Sequence, residues 1–497
     1  MAFNSHDGIL KFHESVVTDS GCKLEDVGDS GCLNQPRWPT FTGNFKNGTT
    51  LAEVAKKLHP ILVRAVAQTL VAIFIDQRYA DKVIEQTLRQ NPKAGSRDRA
   101  FIAETTYEIV RNYRLYSEIL GKQPQTEADF WKIIGIYLSL NFEPAPTQEP
   151  QTGSAQKDLH QKLAELKNET AEDDSDAQLV FPDWTEFEGL NPQEIRKKAK
   201  SLESKRAIRE SIPDWLDTLG ARELGDRWND TLTWLNRPAP VVLRTNRLKT
   251  TREALQQALA KEGVETQPVG DTDALVLERR QNVFRTKAFK NGLFELQDYS
   301  SQLVASFLAP EPGMRVVDAC AGGGGKSLHL AALMENKGRL IALDTQAWKL
   351  DELRLRARRA GIANIDTRPI ENRKVVKRLY NSADRLLLDV PCSGLGVLRR
   401  NPDSKWKLSP EHIENLRTTQ QEILQGYCQI VKPGGRMVYA TCSILPSENE
   451  GQMQAFLASD AGKNFRFIAE RKILPQDEGF DGFYMALLER INPAEKS

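Results

Sequence analysis

The sequence predicts a doubly wound, mostly parallel α/β sheet in its C-terminal part, preceded by a small α+β insert and an all-α N-terminal segment. Three observations carry this. From about Tyr299, short apolar strands alternate with helical stretches, the pattern of a parallel sheet with crossover helices. A glycine-rich turn joins the first of those strands to a helix. From Leu51 to Phe142, apolar residues recur at helical spacing.

A chain of 497 residues is too long for one core. Its formal net charge is +1, so contact with nucleic acid must come from local patches. Six cysteines, at 22, 32, 320, 392, 428 and 442, are too scattered for a disulfide framework. None forms a CxxC pair, so no zinc site is expected. Reduced thiols imply a reducing compartment. No apolar run reaches membrane-spanning length, and the first residues lack the basic start and apolar stretch of a signal peptide. A cytoplasmic monomer without membrane contact is expected.

Taken in order, residues 1–50 lack any sustained period and read as a poorly ordered tail. Residues 51–142 form the all-α domain. Ile61 to Phe74, apolar on more than one face, is its buried central helix, and Ser96 stands where an N-cap belongs before Arg97-Asp98-Arg99. Residues 143–183 hold Pro144, Pro146, Pro150 and an acidic run, the composition of a flexible linker. Residues 184–298 begin with helices, including the basic run Ile195 to Lys200, which suits a solvated face better than a phosphate contact. Strands at Pro240 to Thr245, Ala274 to Leu277 and Gly292 to Leu296, with a helix from Arg252 to Lys261, then make the α+β insert. Its cations (Arg244, Arg247, Lys249, Arg279, Arg280, Arg285, Lys287 and Lys290) interleave with Phe284 and Phe289, as suits a surface that tracks an RNA backbone. Residues 299–497 carry six strands: Arg315 to Asp318, Arg339 to Asp344, Ala363 to Arg368, Arg385 to Asp389, Arg436 to Ala440 and Phe483 to Leu488.

The first strand ends at Asp318 and runs through Ala319, Cys320, Ala321, Gly322, Gly323, Gly324 and Gly325 to Lys326 and Ser327. Glycines let a ligand approach the backbone, and a helix N-terminus favours negative charge. A P-loop needs glycine at Cys320, and the dinucleotide motif needs it at Ser327, so both patterns fail. What remains is a strand-end acid, a glycine turn, and a second acid, Asp344, placed to meet ribose hydroxyls. That combination fits S-adenosylmethionine (SAM), which has a ribose but no pyrophosphate.

Two cysteines follow buried strands: Cys392 in Asp389-Val-Pro-Cys392-Ser-Gly and Cys442 in Thr441-Cys442-Ser443. Either alone reads as a small buried hydrophobe. Strand ends of a parallel sheet form its ligand crevice, so the two together read as thiols in one cleft beside Asp389. Cys428 reads as core. His329 and His412 lack metal partners at ligand spacing. Ser447-Glu-Asn-Glu450 reads as a capping box. Trp348 and Trp406 suit either stacking on a base or packing.

These residues resemble the RNA (cytosine-5) methyltransferases of the Fmu/Sun (RsmB-like) type, over about residues 190–490. The resemblance rests on Arg244-Thr-Asn246, Gln297-Asp298, the Asp318 turn with Lys326, Asp344, the Cys392 motif, Asn401-Pro-Asp403, Pro433-Gly434-Gly435, the Cys442 motif and Asp481-Gly482-Phe483. Residues 51–142 resemble a NusB-like RNA-binding domain, through the helical pattern and Gly95-Ser-Arg-Asp-Arg99. One departure is that Gly322-Gly323 stand where the family has Ala-Pro.

The resemblance implies methylation of cytosine carbon 5 in RNA, bacterial 16S rRNA foremost, at a single-stranded or loop position. It implies Cys442 as nucleophile, Cys392 in product release, Asp389 on the cytosine edge and Lys326 in support, and it places Ser447 to Glu450 close to the cleft. Lys326 reads either as holding Asp389 or Asp318 in place or as a solvent-exposed lysine at a helix N-terminus. Residue spacing alone leaves the roles of the two cysteines interchangeable. SAM would meet the turn from Asp318 to Lys326 together with Asp344 and Asp389, with Glu371 as the third-strand acid. Two other readings stand beside this one: a non-catalytic RNA-binding assembly factor, and an NAD-linked oxidoreductase on a similar sheet.

Overall fold

The structure, a computed structural model, describes residues 58–141 and 184–492. The readings for the tail and the acidic linker lie outside these residues. The described residues fall into two units that divide between Pro213 and Asp214.

The first unit is helical. Its central helix, Pro60–Phe74, buries Val63, Val66, Ala67, Leu70 and Ile73 against helices Ser96–Arg111 and Glu127–Asn141. Ile61, expected in that core, is exposed. The cap before Arg97 is Gly95 rather than Ser96: Ser96 is already helical, and the Gly95 N–H donates to Asp98 Oδ2 at 3.1 Å. Helix Pro192–Leu202 packs here, its Lys198 Nζ donating to the Ile119 carbonyl at 2.9 Å. One cation of the basic run is thus a structural tie. The segment expected at 184–298 therefore divides, because Trp184 and Phe187 pack on Trp131 of this helical unit.

The second unit begins with the insert. Strands β1 (Val242–Thr245), β2 (Thr266–Pro268), β3 (Ala274–Leu277) and β4 (Phe294–Leu296) form an antiparallel sheet in the order β2-β3-β1-β4. Leu255 and Leu259 of helix Arg252–Ala260 pack on Leu243, Leu275 and Phe294. β2 escaped the sequence reading because Thr266-Gln267-Pro268 has no apolar run.

The larger sheet holds β5 (Arg315–Asp318), β6 (Arg339–Asp344), β7 (Ile365–Pro369), β8 (Ala383–Asp389), β9 (Val431–Thr441), β10 (Phe465–Ile473) and β11 (Phe483–Arg490). Their order is β10-β11-β9-β8-β5-β6-β7. All neighbours from β9 to β7 run parallel, whereas β11 is antiparallel to both β9 and β10. The central strands are apolar on both faces because helices cover both, as Leu340 to Leu343 and Leu386 to Leu388 illustrate. β10 was not expected: it is the sheet edge, and Phe-Arg-Phe-Ile-Ala-Glu-Arg-Lys-Ile offers no continuous apolar run.

The chain leaves β5 toward β6 and β7, then returns to β8 on the other side of β5. That reversal makes the carboxyl ends of β5 and β8 the topological switch point, where open α/β sheets bind ligands.

The joint between the two sheets is polar and buried. Arg400 donates to Asp481 Oδ2 and Asp298 Oδ1, both at 2.5 Å, and to the Pro240 carbonyl at 3.1 Å. Arg244, expected among cations facing RNA, is buried and donates to the Gly325 carbonyl at 2.9 Å and to Gln297. Lys249 reaches the carbonyls of Asn291 and Arg359 at 2.8 and 2.7 Å. Both cations join insert to sheet, so the RNA-facing reading does not hold for Arg244 and is weakened for Lys249. Arg279, Arg280, Arg285, Lys287 and Lys290 are exposed, together with Phe284.

Candidate active site

The glycine turn follows β5 directly. Gly322 and Gly324 have φ of +54° and +85°, which side-chain-bearing residues rarely adopt. A Cβ on Gly324 would strike Leu353, whereas one on Gly322 would enter open space. The turn therefore packs on one side and leaves a cradle on the other, beside two strand-end acids.

Asp318 is buried at the end of β5 and accepts from Ser327 Oγ at 2.6 Å. Burial, and secondarily the nearby Asp389, push its carboxyl up to about 7 against the opposing Ser327 hydrogen bond. Asp344, at the end of β6, accepts the Gly322 N–H at 2.9 Å and the Gln346 N–H at 2.8 Å. Glu371 lies exposed just beyond β7. Cys320 lies in the turn, and burial raises its thiol pKa. Carboxylate acceptors and a backbone cradle fit a ribose-bearing, net-cationic ligand such as SAM.

Lys326 occupies the second position of helix Gly325–Leu333. It is no solvent-exposed helix lysine: its Nζ donates to Asp389 Oδ2 at 2.8 Å, with side chains only 2% and 5% exposed. The ammonium also lies 5.1 Å from the Phe483 ring centroid. Asp389 ends β8, so the pair links the cofactor turn to the strand that leads into Cys392.

The two cysteines meet. Cys392 Sγ and Cys442 Sγ are 3.4 Å apart, both buried. β8 and β9 are parallel neighbours with Asp389 opposite Ala440, so each chain turns off the sheet at the same level. The Cys392 thiol is pushed up, first by the hydrogen bond with Cys442 and next by burial.

Gly396, four residues beyond Cys392, seals the pair from behind. Its N–H donates to the Cys442 carbonyl at 2.9 Å, and its carbonyl accepts from Gly482 at 2.8 Å. A Cβ there would sit 2.1 Å from the Gly482 oxygen and 2.7 Å from the Cys442 oxygen. Gly396→Ala is therefore expected to cost about 1–3 kcal/mol, the usual range for overpacking. Urea unfolding with the slope unchanged would check it.

One residue read otherwise from sequence belongs here. Ser447 to Glu450 is no capping box: the N-cap position of helix Glu450–Ala458 is Asn449, and it makes no side-chain cap. Glu448 is instead fully buried and accepts from the Ser393 N–H and Oγ, Ser443 Oγ and Gln420 Nε2 at 2.5–3.0 Å. The repeated Cys-Ser dipeptide was the available signal for this. Of the bystanders, Cys428 and His329 are buried, Trp348 is 57% exposed, and no His/Cys/Asp/Glu cluster among the described residues could hold a metal.

A family profile described as "16S rRNA methyltransferase RsmB/F" matches residues 305–489, and one for the ferredoxin-like domain of RsmF/B-like methyltransferases matches 212–284. The probable ribosomal RNA small subunit methyltransferase B of Synechocystis is 31% identical over 448 residues, which cover 83% of this chain and 95% of that one. The chain belongs to the RsmB/F family of rRNA methyltransferases. The Vibrio cholerae ribosomal RNA small subunit methyltransferase B is 32% identical, with 79% and 90% of the two chains covered. Among solved structures, a methyltransferase homologue from Pyrococcus horikoshii aligns with a TM-score of 0.52 at 26% identity, over 57% of this chain and 98% of that one. NSun6 from Pyrococcus horikoshii, solved with SFG, aligns with a TM-score of 0.52 at 21% identity over 56% and 98%, a likeness of fold. The Rossmann-like sheet and SAM as cofactor stand as read from the sequence. No described helix is long and apolar enough to cross a membrane.

Proposed function

We propose that this chain methylates carbon 5 of a cytosine in small-subunit rRNA through a covalent bond between Cys442 and carbon 6 of the base. The observation that supports this best is the Cys392–Cys442 pair, 3.4 Å apart at the ends of β8 and β9, beside the buried Lys326–Asp389 pair.

The chemistry requires such a site. Carbon 5 of cytosine is a poor nucleophile. Addition of the Cys442 thiolate to carbon 6 moves an electron pair onto carbon 5, which then accepts a methyl group. Protonation at N3 offsets the negative charge that addition builds on the ring; Asp389 accepts from that N3–H, and Lys326 fixes the carboxylate. A base takes the carbon 5 proton, the electron pair returns to the ring, the carbon–sulfur bond breaks, and Cys442 leaves as thiolate. Cys392, within hydrogen-bonding reach of Cys442, assists this release. Assigning attack to Cys442 and release to Cys392 follows the family resemblance.

SAM, when bound, supplies the electrophilic methyl group. The turn from Asp318 to Gly325 would hold it, with Asp344 accepting from its ribose. A net-cationic ligand favours the ionised form of Asp318, whose carboxyl in the protein titrates near 7. Below that pH the carboxyl is protonated and binding must release its proton; above it none is released. SAM affinity should therefore rise as pH goes from 6 to 8, and Asp318→Asn should flatten the profile. Calorimetry in two buffers of different ionisation enthalpy measures the released proton directly.

A cytosine must leave its stack to reach buried thiols, which favours single-stranded or loop RNA. The exposed Arg279, Arg280, Arg285, Lys287 and Lys290 with Phe284 are suited to its backbone and bases, and the helical unit, as a NusB-like RNA-binding domain, to a further contact. The test uses rRNA labelled with tritium at cytosine carbon 5. Each methyl group transferred should release one tritium into water; methyl incorporation without tritium release would place the reaction elsewhere.

A further inference from the structure

The two cysteines sit in twin turns. Cys392 is followed by Ser393 and Cys442 by Ser443. Each serine Oγ accepts from the backbone N–H two residues on, Leu395 at 3.4 Å and Leu445 at 3.1 Å. Each also donates to the same atom, Glu448 Oε2, at 2.5 Å. The two hydroxyl oxygens are 3.2 Å apart, much as the two sulfurs are.

The other carboxylate oxygen, Oε1, takes the Ser393 N–H at 2.9 Å and Gln420 Nε2 at 3.0 Å. Gln420 also donates to the Pro391 carbonyl at 2.9 Å, on the residue before Cys392. On the other side, Asn449 Nδ2 donates to the Ser443 carbonyl at 3.0 Å, and its Oδ1 accepts from Thr441 Oγ1 at 2.5 Å. Residues before and after each cysteine are thus tied to Glu448, to its neighbour Asn449 or, through Gln420, back to Glu448.

We propose that Glu448 is a positioning residue: one buried carboxylate that, through Ser393 and Ser443, locks both cysteine turns at a fixed separation, so that attack and release act on the same base. A charge with no solvent exposure is costly unless fully hydrogen-bonded. Most of the donors that satisfy Glu448 come from the cysteine turns themselves, so the turns cannot drift apart without stranding it. Beside the hydrogen bond with Cys442 and burial, which push the Cys392 thiol up most, the nearby Glu448 acts in the same direction.

This inference rests on the two-cysteine reading above, and the experiment separates the two. Six full-length proteins are incubated with SAM and unmethylated small-subunit rRNA: wild type, Cys392→Ala, Ser393→Ala, Ser443→Ala, Cys392→Ala with Ser443→Ala, and Glu448→Gln. Methyl transfer and the protein–RNA adduct on a denaturing gel are both measured, with melting curves to confirm folding. Misplacement of reacting groups by about 1 Å can cost on the order of 100-fold, so each turn variant should lose at least about tenfold in turnover.

Ser393→Ala loosens the releasing turn and should accumulate adduct, as Cys392→Ala does. Ser443→Ala loosens the attacking turn and should slow adduct formation when combined with Cys392→Ala. Glu448→Gln should do both, with KM for SAM unchanged. If Cys392→Ala traps adduct but the serine variants match wild type within about twofold, the positioning role is overturned. If Cys392→Ala itself traps nothing, the two-cysteine reading fails instead.

Discussion

Cys442→Ala should abolish methyl transfer and leave the fold intact. Removing a covalent nucleophile commonly costs several orders of magnitude, and here about 10⁴-fold or more is expected, because carbon 5 has no other route to nucleophilicity. The truncation removes one buried sulfur beside Cys392, a small change in packing, so the melting temperature should shift little. The same variant should still bind SAM, since the cofactor turn belongs to β5 and β6, away from the cysteine's own turn after β9. An rRNA methylation assay and a calorimetric SAM titration on one preparation would check both halves. Loss of SAM binding together with activity would point to a collapsed crevice.

Lys326→Met should damage both stability and activity. The lysine and Asp389 are both buried, so the variant leaves a carboxylate inside the protein without its ammonium partner. Breaking a buried pair from one side costs about 3–5 kcal/mol, far more than any surface ion pair contributes. The size of the loss depends on burial rather than on the hydrogen bond itself. A protonated Asp389 would relieve much of the penalty, so the variant should regain stability as pH falls. Its activity should not recover on acidification, because a neutral Asp389 would no longer hold the proton at N3 as charge builds on the cytosine ring. Denaturant melts at several pH values, run with the methylation assay, check this. Asp389→Asn in the Lys326→Met background should recover part of the stability without the activity, since it removes the stranded charge.

Much of this was legible in the sequence, for physical reasons that also explain what was not. The parallel strands β5, β6, β8 and β9 are buried on both faces, so their apolar runs stand out. Their carboxyl ends carry Asp318, Asp344, the Cys392 turn and the Cys442 turn, which is why the crevice could be assembled before any coordinates. β10 could not, since an exposed edge strand with charges along it has no periodic signature. Arg244 was misplaced because a buried cation that ties the insert to the larger sheet's unit has the same letter as one that meets a phosphate. Glu448 was passed over as an interior position of a Ser447-x-x-Glu450 capping box, because that motif is local. What makes that carboxylate important is non-local, reaching Ser393 fifty-five residues away. Lys326 lay between: its partner was foreseen as Asp389 or Asp318, and only the geometry decides for Asp389.

The central claim is that one cysteine bonds to the base and the other lets it go. Cys392→Ala protein, incubated with SAM and unmethylated rRNA, should yield an RNA-linked protein band that survives denaturation. The band should disappear when Cys442→Ala is added. A Cys392→Ala enzyme that turns over freely with no such band, or a band that persists without Cys442, would contradict the assignment.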